Sequence, residues 1–370
     1  MREKSVDKIF LGLVITLLVI GVFMFISASL GVLNKDSIKL FYGILRNQLI
    51  LGLGGGLVAM YLCSKINYKF WKKYAFYIFL LTILLTLLVF IPKLTLKHGG
   101  AQRWVSFGPF SFQPVELLKI GFIIYLAGWL SWIKNKVHKF KFGIIPAMIM
   151  LAIVSFILWK QPDTKNIILL IFTALAMLII SGARWKHLIA IFLISIIGFI
   201  MLASFQPYVR DRIKTFFDPG HDPAGSSYQI EQSLIAVGSG GIMGRGFGQS
   251  IQKFSYLPEP QGDSIFAVIG EEFGFIGGII IIFLFSAFAL RGLRIANRAP
   301  DLFSRLLTTG IVILFISQAF MNIASTIGVI PLTGVPLVFI SHGGTSLLIS
   351  LAAVGIILNI SKYQQESNLN

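Results

Sequence analysis

Three carboxylates stand close together where a polar segment containing proline runs into a long apolar one. Asp263 lies at the junction, and Glu271 and Glu272 follow inside the apolar part. The whole chain contains only 15 aspartate and glutamate residues, so three of them in this one segment stand out. An acid at a membrane boundary costs free energy, which favours a role in catalysis or substrate binding.

Helical spacing predicts how the three acids are arranged. At about 100° per residue, Glu271 lies two turns deeper than Asp263 on roughly the same side, and Glu272 points nearly opposite. We therefore expect Asp263 and Glu271 to line one cavity. Glu272 is expected to meet a structural partner, such as a basic residue on a neighbouring helix. The alternative for Asp263 is a helix N-cap, a common role for aspartate before an apolar run.

A second set of polar residues precedes another apolar segment. Glu116 and Lys119 are three positions apart, so they share one helix face and can neutralise each other inside the membrane. Taken alone, this spacing is more typical of an architectural ion pair than of a catalytic one. Arg103, beside Trp104 in an outside loop, suits a phosphate or pyrophosphate, and a lipid head group is the simpler alternative.

The elements that must carry these residues are membrane helices. Hydrophobic residues make up 56% of the 370 positions, charged residues 13%, and the mean hydropathy is +0.83, which excludes an ordinary soluble protein. Because a helix needs roughly 20 apolar residues to cross a bilayer, we predict an all-α polytopic membrane protein with about ten spans. The predicted spans lie near 9–29, 46–63, 74–92, 114–132, 143–159, 166–182, 188–204, 263–290, 304–325 and 344–361.

The net charge of +17 comes largely from short loops on one side of these spans. Loops rich in lysine and arginine stay in the cytoplasm, so we expect a multi-pass protein of the cytoplasmic membrane with both termini inside. This topology and the attraction to anionic head groups explain the charge, and no nucleic-acid partner is expected. The basic positions are Arg2, Lys4, Lys8, Lys65, Lys69, Lys72, Lys73, Lys134, Lys136, Lys139, Lys141, Arg184, Lys186, Arg291, Arg294, Arg298, Arg305 and Lys362.

Two long outside loops interrupt an otherwise tightly connected single domain, 1–370. One covers about 93–113, and the other, about 205–262, separates the seventh and eighth spans. Long ordered loops are uncommon unless they carry function. Within the larger loop, the glycine-rich stretch 238–248 is about as compatible with a tightly packed loop or re-entrant turn as with contact to a phosphate.

The last predicted outside loop is rich in proline and glycine, and the histidines of the chain are scattered. Residues 328–346 contain too many prolines and glycines for a simple helix, so we expect this loop to dip into the bundle. The five histidines show no metal-ligand spacing, and Cys63 is the lone cysteine, which argues against a zinc site.

Several segments make the chain resemble the SEDS family (shape, elongation, division and sporulation) of bacterial peptidoglycan polymerases, from the first span to the tenth. Residues 248–259 resemble the division members more than the elongation members. Departures from the usual pattern are Gln261-Gly262 in place of His-Thr, His342 in place of tyrosine, Thr345 in place of serine, and Val115 in place of serine. The matching segments are Gly100-Ala-Gln-Arg-Trp104, Gln113-Pro-Val-Glu116 with Lys119, Gln161-Pro-Asp163, Tyr228–Gly241, Leu257-Pro-Glu259, Asp263-Ser-Ile-Phe-Ala267, Gly270-Glu-Glu272 and Ile340–Ser346.

The resemblance implies a glycosyltransferase that polymerises lipid II at the outer face of the cytoplasmic membrane during septal wall synthesis, with side-wall elongation as the alternative. It also implies a single-pass class B penicillin-binding protein as partner, together with other divisome proteins. A divalent cation, Mg²⁺ or Mn²⁺, could assist, although no ligand cluster demands one.

The resemblance further implies roles for individual residues. Asp263 coincides with the catalytic aspartate of the family and is placed to remove the proton from a sugar hydroxyl as general base. Arg103, with Lys119 or Arg210, would stabilise the pyrophosphate leaving group. The other residues assigned to substrate binding are Trp104, Gln113, Glu271, Ser341 and His342.

Two other classes of function compete with this interpretation. A lipid or solute transporter would place its ionisable residues near the bilayer midplane on broken helices, whereas most of those here lie at the predicted outer rim. A non-enzymatic divisome scaffold would need none of the observed carboxylate placement.

Overall fold

The computed structural model describes residues 5–33, 38–98, 101–107, 110–218, 225–254 and 256–364. Of the positions singled out from the sequence, Arg2, Lys4 and Gly100 lie outside these ranges. The α-helices are α1 Lys8–Leu33, α2 Ile38–Arg46, α3 Gly56–Lys65, α4 Tyr68–Lys73, α5 Ala75–Leu87, α6 Pro114–Ile133, α7 Ile145–Lys160, α8 Thr164–Ile180, α9 Trp185–Phe205, α10 Pro207–Phe217, α11 Ser226–Ser239, α12 Ile265–Asn297, α13 Leu302–Thr326 and α14 Gly344–Ser361.

The described part of the chain contains seven helical segments long and apolar enough to cross a membrane, and three shorter apolar helices. The second long segment, Phe41–Lys65, joins α2 and α3 through a π-helical stretch, Asn47–Gly55. The three shorter ones are Ala75–Phe90, Thr164–Ile180 and Trp185–Met201. These ten segments coincide with the predicted spans, which confirms the prediction of a polytopic all-α membrane protein.

The centre of the bundle is formed by α6, α13 and α14, whose apolar windows are 72%, 72% and 83% buried, against 17% for the second span. Small residues let the second span approach α14 closely. A Cβ added at Gly52 would lie 3.0 Å from the Cα of Gly344, and one at Gly56 would overlap Leu351. Close backbone approach through glycine is a common way for membrane helices to pack.

The described parts of the two predicted outside loops contain regular secondary structure. Residues in the first form a small antiparallel sheet, with β1 Thr95–His98, β2 Ala101–Phe107 and β3 Phe110–Phe112 in the order β1-β2-β3. In the second, α10 and α11 occupy much of the chain between the seventh and eighth spans. This segment therefore positions side chains on defined elements.

The eighth span, α12, is broken near its start. It is 33 residues long, about 50 Å at 1.5 Å per residue, which exceeds the roughly 30 Å hydrocarbon core. At Gly274 the backbone leaves the helical conformation (φ 65°, ψ −161°), a region that glycine enters without steric cost. The part after the break is long enough to cross the bilayer by itself, so the part before it is a separate half-helix.

The glycine-rich stretch 238–248 packs against this break and bonds to the main chain on both sides of it. A Cβ at Gly244 would overlap the carbonyl of Glu272, so the loop backbone approaches the helix more closely than any side chain would allow. The structure therefore supports the packed-loop interpretation of these glycines. Four main-chain hydrogen bonds link the two segments: Arg245 N to Glu271 O (3.0 Å), Gly246 N to Glu272 O (2.9 Å), Phe275 N to Gly241 O (2.9 Å) and Ile276 N to Ile242 O (3.2 Å).

Candidate active site

Asp263 lies in the turn immediately before the half-helix of α12. Ser264 is the N-cap residue, and no side chain makes a capping hydrogen bond there. The Asp263 carboxylate instead accepts a hydrogen bond from the side-chain amide of Gln229 on α11, with Nε2 3.3 Å from Oδ1. The alternative role as a helix cap is therefore wrong, and the carboxylate faces a neighbouring element.

The main chain around Asp263 is held by three hydrogen bonds to consecutive carbonyl oxygens. The donors come from α13 and from the connection between α13 and α14, which confirms that this connection enters the bundle. The bonds are His342 N to Gln261 O (2.7 Å), Ser341 Oγ to Gly262 O (2.6 Å) and Asn322 Nδ2 to Asp263 O (2.7 Å). The position of the carboxylate is thus set by the α13–α14 connection as well as by its own helix.

Gln48, in the π-helical stretch of the second span, supports that connection in turn. Its Nε2 donates to the carbonyl of Ser341 (3.2 Å), and its Oε1 accepts from the N–H of Gly343 (2.9 Å). The side chain is only 3% exposed. Gln48 is therefore a positioning residue that the sequence did not reveal.

Two cations that were not among the candidates lie beside Asp263. Lys165, at the start of α8, donates from Nζ to the carbonyl of Gly334, and Arg212 on α10 donates from Nη1 to the carbonyl of Leu332 (2.7 Å). The guanidinium of Arg212 also stacks 4.2 Å from the ring centre of Tyr208. Gly334, with φ 66°, lies between the Asp263 carboxylate and the Arg212 guanidinium. A Cβ there would lie 3.3 Å from Asp263 Oδ2 and 3.4 Å from Arg212 Nη2.

Burial decides the protonation behaviour of Asp263. Removal from water raises the pKa of its carboxyl above the ordinary value, because burial penalises the charged form. The positive charges of Lys165 and Arg212, and the hydrogen bond from Gln229, act in the opposite direction. A carboxylate with a raised pKa binds a proton more readily than an exposed one, which suits a general base.

Arg210 does not share this environment. It is exposed, whereas Arg212, two positions further along α10, is the residue near Asp263. Residues two apart on a helix point to different sides. Of the two arginines, Arg212 is therefore the neighbour of Asp263, and contact between Arg210 and pyrophosphate stays a prediction.

Arg103 links the small sheet to the turn between α7 and α8. Its Nε donates to the carbonyl of Gln161 (3.3 Å) and its Nη2 to the carbonyl of Pro162. Its charge acts on both Lys165 and Arg212, so it borders the same cluster.

Two further candidates lie near the start of α6. Trp104 pairs with Leu96 across the sheet and is partly buried. Gln113 occupies the N-cap position of α6 without a capping side-chain bond. For both, a role in binding substrate stays a prediction.

Glu116 and Lys119 form a buried ion pair, with Lys119 Nζ 2.9 Å from Glu116 Oε1. Each partner makes a second bond. Lys119 Nζ donates to Gln318 Oε1 (3.2 Å), and Ser346 Oγ donates to Glu116 Oε2 (3.1 Å). With its charge compensated in this way, Lys119 serves the packing of α6, α13 and α14 and is a poor candidate for contact with pyrophosphate.

Glu271 does not line a cavity with Asp263. Its fully buried carboxylate holds the loop that follows the glycine-rich stretch, and it lies 3.5 Å from Arg245 Nε. The expectation from helical spacing was wrong because the loop, which no periodicity reveals, packs on this side of α12. The hydrogen bonds to its oxygens come from Ser250 Oγ (2.6 Å), Ile251 N (3.0 Å) and Gln252 N (3.2 Å).

Glu272 has the basic partner that was expected, but from a loop rather than a helix. Lys253 Nζ lies 2.8 Å from Glu272 Oε1, and both side chains are fully buried. Ser27 Oγ on α1 donates to the same oxygen (2.6 Å). This cluster fastens the loop between α11 and α12 to the first span.

His342 is held against the bundle as a neutral ring. It stacks on Phe25 with ring centres 5.7 Å apart, and burial lowers the pKa of the imidazole to about 4. Ser341 is engaged through its hydroxyl, as described above, so both residues contact the turn that carries Asp263. Whether either touches substrate stays a prediction.

Among the described residues, no group of three or more histidine, cysteine, aspartate or glutamate side chains is arranged to hold a metal ion. The involvement of Mg²⁺ or Mn²⁺ therefore stays a prediction without a dedicated ligand set in these ranges.

An apolar cavity of about 440 Å³ lies between α7, α8 and α9. Its walls include Leu151, Ile168, Phe172, Ile191 and Phe199, and its polar lining is small. A space of this chemistry suits a hydrocarbon chain.

The fold and these contacts define a polytopic helical membrane protein with an acid and two cations gathered where the predicted outside loops meet the bundle. A family model, FTSW_RODA_SPOVE, described as cell cycle protein, matches residues 7–366. The chain belongs to this family, which confirms the resemblance drawn from its motifs.

Individual relatives match over nearly the whole chain. Stage V sporulation protein E of Bacillus subtilis is 38% identical over 364 residues, covering 98% of this chain and 99% of that protein. A protein of Geobacter metallireducens named probable peptidoglycan glycosyltransferase FtsW is 40% identical over 357 residues, covering 96% and 94%. A solved structure described as structural coordination of polymerization and crosslinking by a peptidoglycan synthase complex is similar with TM-score 0.78 and 25% identity, covering 98% and 99%.

Proposed function

We propose that this protein is a peptidoglycan glycosyltransferase that polymerises lipid II into glycan strands at the outer face of the cytoplasmic membrane during septal wall synthesis. Membership of the family and the names of relatives such as FtsW support the activity. The observation that carries the mechanism is the environment of Asp263. Its carboxylate caps no helix, is held on a turn fixed by three hydrogen bonds, and has two cations beside it.

In the proposed reaction, a sugar hydroxyl of one substrate attacks the anomeric carbon of another. The new glycosidic C–O bond forms as the bond from that carbon to the pyrophosphate oxygen breaks. Asp263 accepts the hydroxyl proton as general base, a task for which its raised pKa is suited. The lipid-linked pyrophosphate leaves with the bonding electrons, so positive charge next to Asp263 stabilises the developing negative charge.

We propose that the apolar cavity between α7, α8 and α9 receives part of the lipid tail. The cavity is lined by hydrocarbon side chains, and α8 also carries Lys165 at its outer end. A tail bound along α8 would therefore lead towards the cations near Asp263.

The orientation and partners also belong to the proposal. The basic loops support cytoplasmic termini, with the segment 205–262 outside. The exposed Gln249, changed to cysteine in a Cys63→Ser background, should react with an impermeant maleimide in right-side-out vesicles. Protection there would contradict this orientation. A single-pass class B penicillin-binding protein is the proposed partner for crosslinking, so this chain by itself should yield uncrosslinked glycan.

The decisive test of the function is Asp263→Asn in the full chain with its partner present. Asparagine keeps the shape but cannot take a proton, so polymerisation of lipid II should fall by a factor on the order of 10² or more. Asp301→Asn is the matched control, because Asp301 caps α13 and asparagine caps equally well. Near-normal glycan synthesis by a well-folded Asp263→Asn variant would end the catalytic claim.

A further inference from the structure

The connection between α13 and α14 carries a three-residue strap, residues 332–334, beside Asp263. Its two outer carbonyls are bonded by cations from different helices: Leu332 O by Arg212 Nη1 at 2.7 Å, and Gly334 O by Lys165 Nζ. In the described part of the chain these are the hydrogen bonds that those two carbonyls receive. The strap lies between the cations and the carboxylate, since a Cβ on Gly334 would stand within 3.5 Å of both Asp263 and Arg212.

Main-chain groups on both sides of the strap are bonded to α13. After it, Val335 O accepts from Asn322 Nδ2 (2.7 Å), and before it, Val329 N donates to Ala324 O (2.9 Å). Residues 331–337 form no helix or strand. Two bonds to cations are therefore the main polar attachment of residues 332–334, together with one from Thr333 Oγ to Ser325 Oγ at 3.2 Å.

The charges around the strap favour an anion. Three cations and two acids interact there, which leaves one net positive charge when all five groups are ionised. Asp163 already accepts a hydrogen bond from Asn166 (2.7 Å). A phosphate oxygen forms a stronger, charge-assisted bond with lysine or arginine than a neutral main-chain carbonyl does. The groups concerned are Arg103, Asp163, Lys165, Arg212 and Asp263.

We propose that Lys165 and Arg212 form a diphosphate subsite, which residues 332–334 occupy in the free protein and which an arriving diphosphate takes over. Exchange of carbonyl for phosphate oxygens releases the strap and opens the space next to Asp263. This subsite rests on the proposed function, because it assigns the pyrophosphate of the lipid-linked substrate to two particular side chains. These two side chains take the role that the sequence assigned to Lys119 or Arg210. Lys119 is paired with Glu116, and Arg210 is exposed.

Binding is tested on the full-length protein in detergent with farnesyl pyrophosphate and inorganic pyrophosphate. Lys165→Met and Arg212→Gln should each weaken binding of both probes about tenfold or more. The controls are Lys160→Met and Lys214→Gln, exposed cations nearby that should leave binding unchanged. Equal affinity in wild type and both cluster variants would overturn the subsite. Binding to vesicles of phosphatidylglycerol is measured as a third probe. If the protein binds these vesicles but neither pyrophosphate probe, and Lys165→Met abolishes that binding, the site is one for a phospholipid head group and the proposal is contradicted.

Release of the strap is tested separately by the reactivity of Thr333→Cys in a Cys63→Ser background. Inorganic pyrophosphate should speed maleimide labelling at position 333 several-fold. In Lys165→Met the labelling should be fast without pyrophosphate and insensitive to it. Binding of pyrophosphate with unchanged or slower labelling would show that the strap does not move aside.

Neither readout requires turnover, so both are repeated in Asp263→Asn. If binding and labelling behave as expected there while that variant still polymerises lipid II, the subsite stands and the general-base proposal fails. If Asp263→Asn is inactive but Lys165→Met binds pyrophosphate normally, the subsite fails and the base stands. Monodisperse elution of each variant confirms folding.

Discussion

The hydroxyl of Ser341 donates a 2.6 Å hydrogen bond to the main-chain carbonyl of Gly262, one residue before the proposed base. The same Ser341 oxygen accepts a hydrogen bond from the N–H of Leu337 (2.8 Å), and Ser341 is buried. One hydroxyl therefore joins the α13–α14 connection to the turn that presents Asp263. Small errors in the placement of a catalytic group are costly, since a displacement of about 1 Å can reduce rates by 10².

Ser341→Ala should lower kcat for lipid II polymerisation about tenfold or more with little change in KM, because both hydrogen bonds are lost and Asp263 is less well held. Initial rates of glycan synthesis measure the effect. Ser286→Ala is the matched control, since among the described residues the Ser286 hydroxyl bonds within α12, to the carbonyl of Ile282. A kcat equal to wild type in Ser341→Ala would show that this bond does not position the base.

The pH dependence of turnover should reveal the environment of Asp263. A general base works when deprotonated, so kcat falls as the pH is lowered through the raised pKa of this carboxyl. Lys165 counteracts that rise. Its replacement in Lys165→Met should therefore raise the pKa further and move the acid limb of the kcat profile to higher pH.

The control for this shift is Lys160→Met, an exposed lysine outside the cluster. Profiles are compared at saturating lipid II, so that weaker binding does not enter kcat. An acid limb that moves to lower pH in Lys165→Met would contradict the electrostatic account.

The buried pair Glu116 and Lys119 should behave as one unit in stability. Either Glu116→Gln or Lys119→Met alone leaves an uncompensated charge, a loss of about 3–5 kcal/mol for buried pairs. The double variant should lose less than the sum of the single ones, with a coupling on the order of 1 kcal/mol or more. Thermal unfolding midpoints in detergent measure the cycle, and additive shifts would show that the two charges are independent.

Gly274→Ala should open the junction between the half-helix and the loop. Alanine is strained at φ 65°, at a cost of order 1–3 kcal/mol, and its Cβ would overlap the Ile242 carbonyl. We expect a lower unfolding midpoint and faster tryptic cleavage after Arg245, whose N–H bond to Glu271 would be disturbed. Gly12→Ala, in open space on α1, should be neutral or stabilising by about 0.5–1 kcal/mol. Wild-type cleavage in Gly274→Ala would argue against the junction.

The sequence by itself determined the membrane class, the ten spans and the main candidate acid. These follow from local properties, namely runs of about 20 apolar residues and a carboxylate at the mouth of one such run. The spacing of Glu116 and Lys119 also sufficed, because residues three apart on a helix are neighbours whatever surrounds them. The motifs located the family for the same reason, since they are short and continuous.

Only the tertiary structure decided which polar groups meet. Asp263 shares its surroundings with Lys165 and Arg212, each far from it in sequence, and the choice of Arg212 over Arg210 depends on which face of α10 packs inward. Helical spacing predicts that Glu271 lines a cavity with Asp263, but its carboxylate is bound by a loop that no periodic pattern reveals. Such contacts depend on how whole elements pack, and the packing is settled by burial and shape over the entire bundle rather than by the pattern of any one segment.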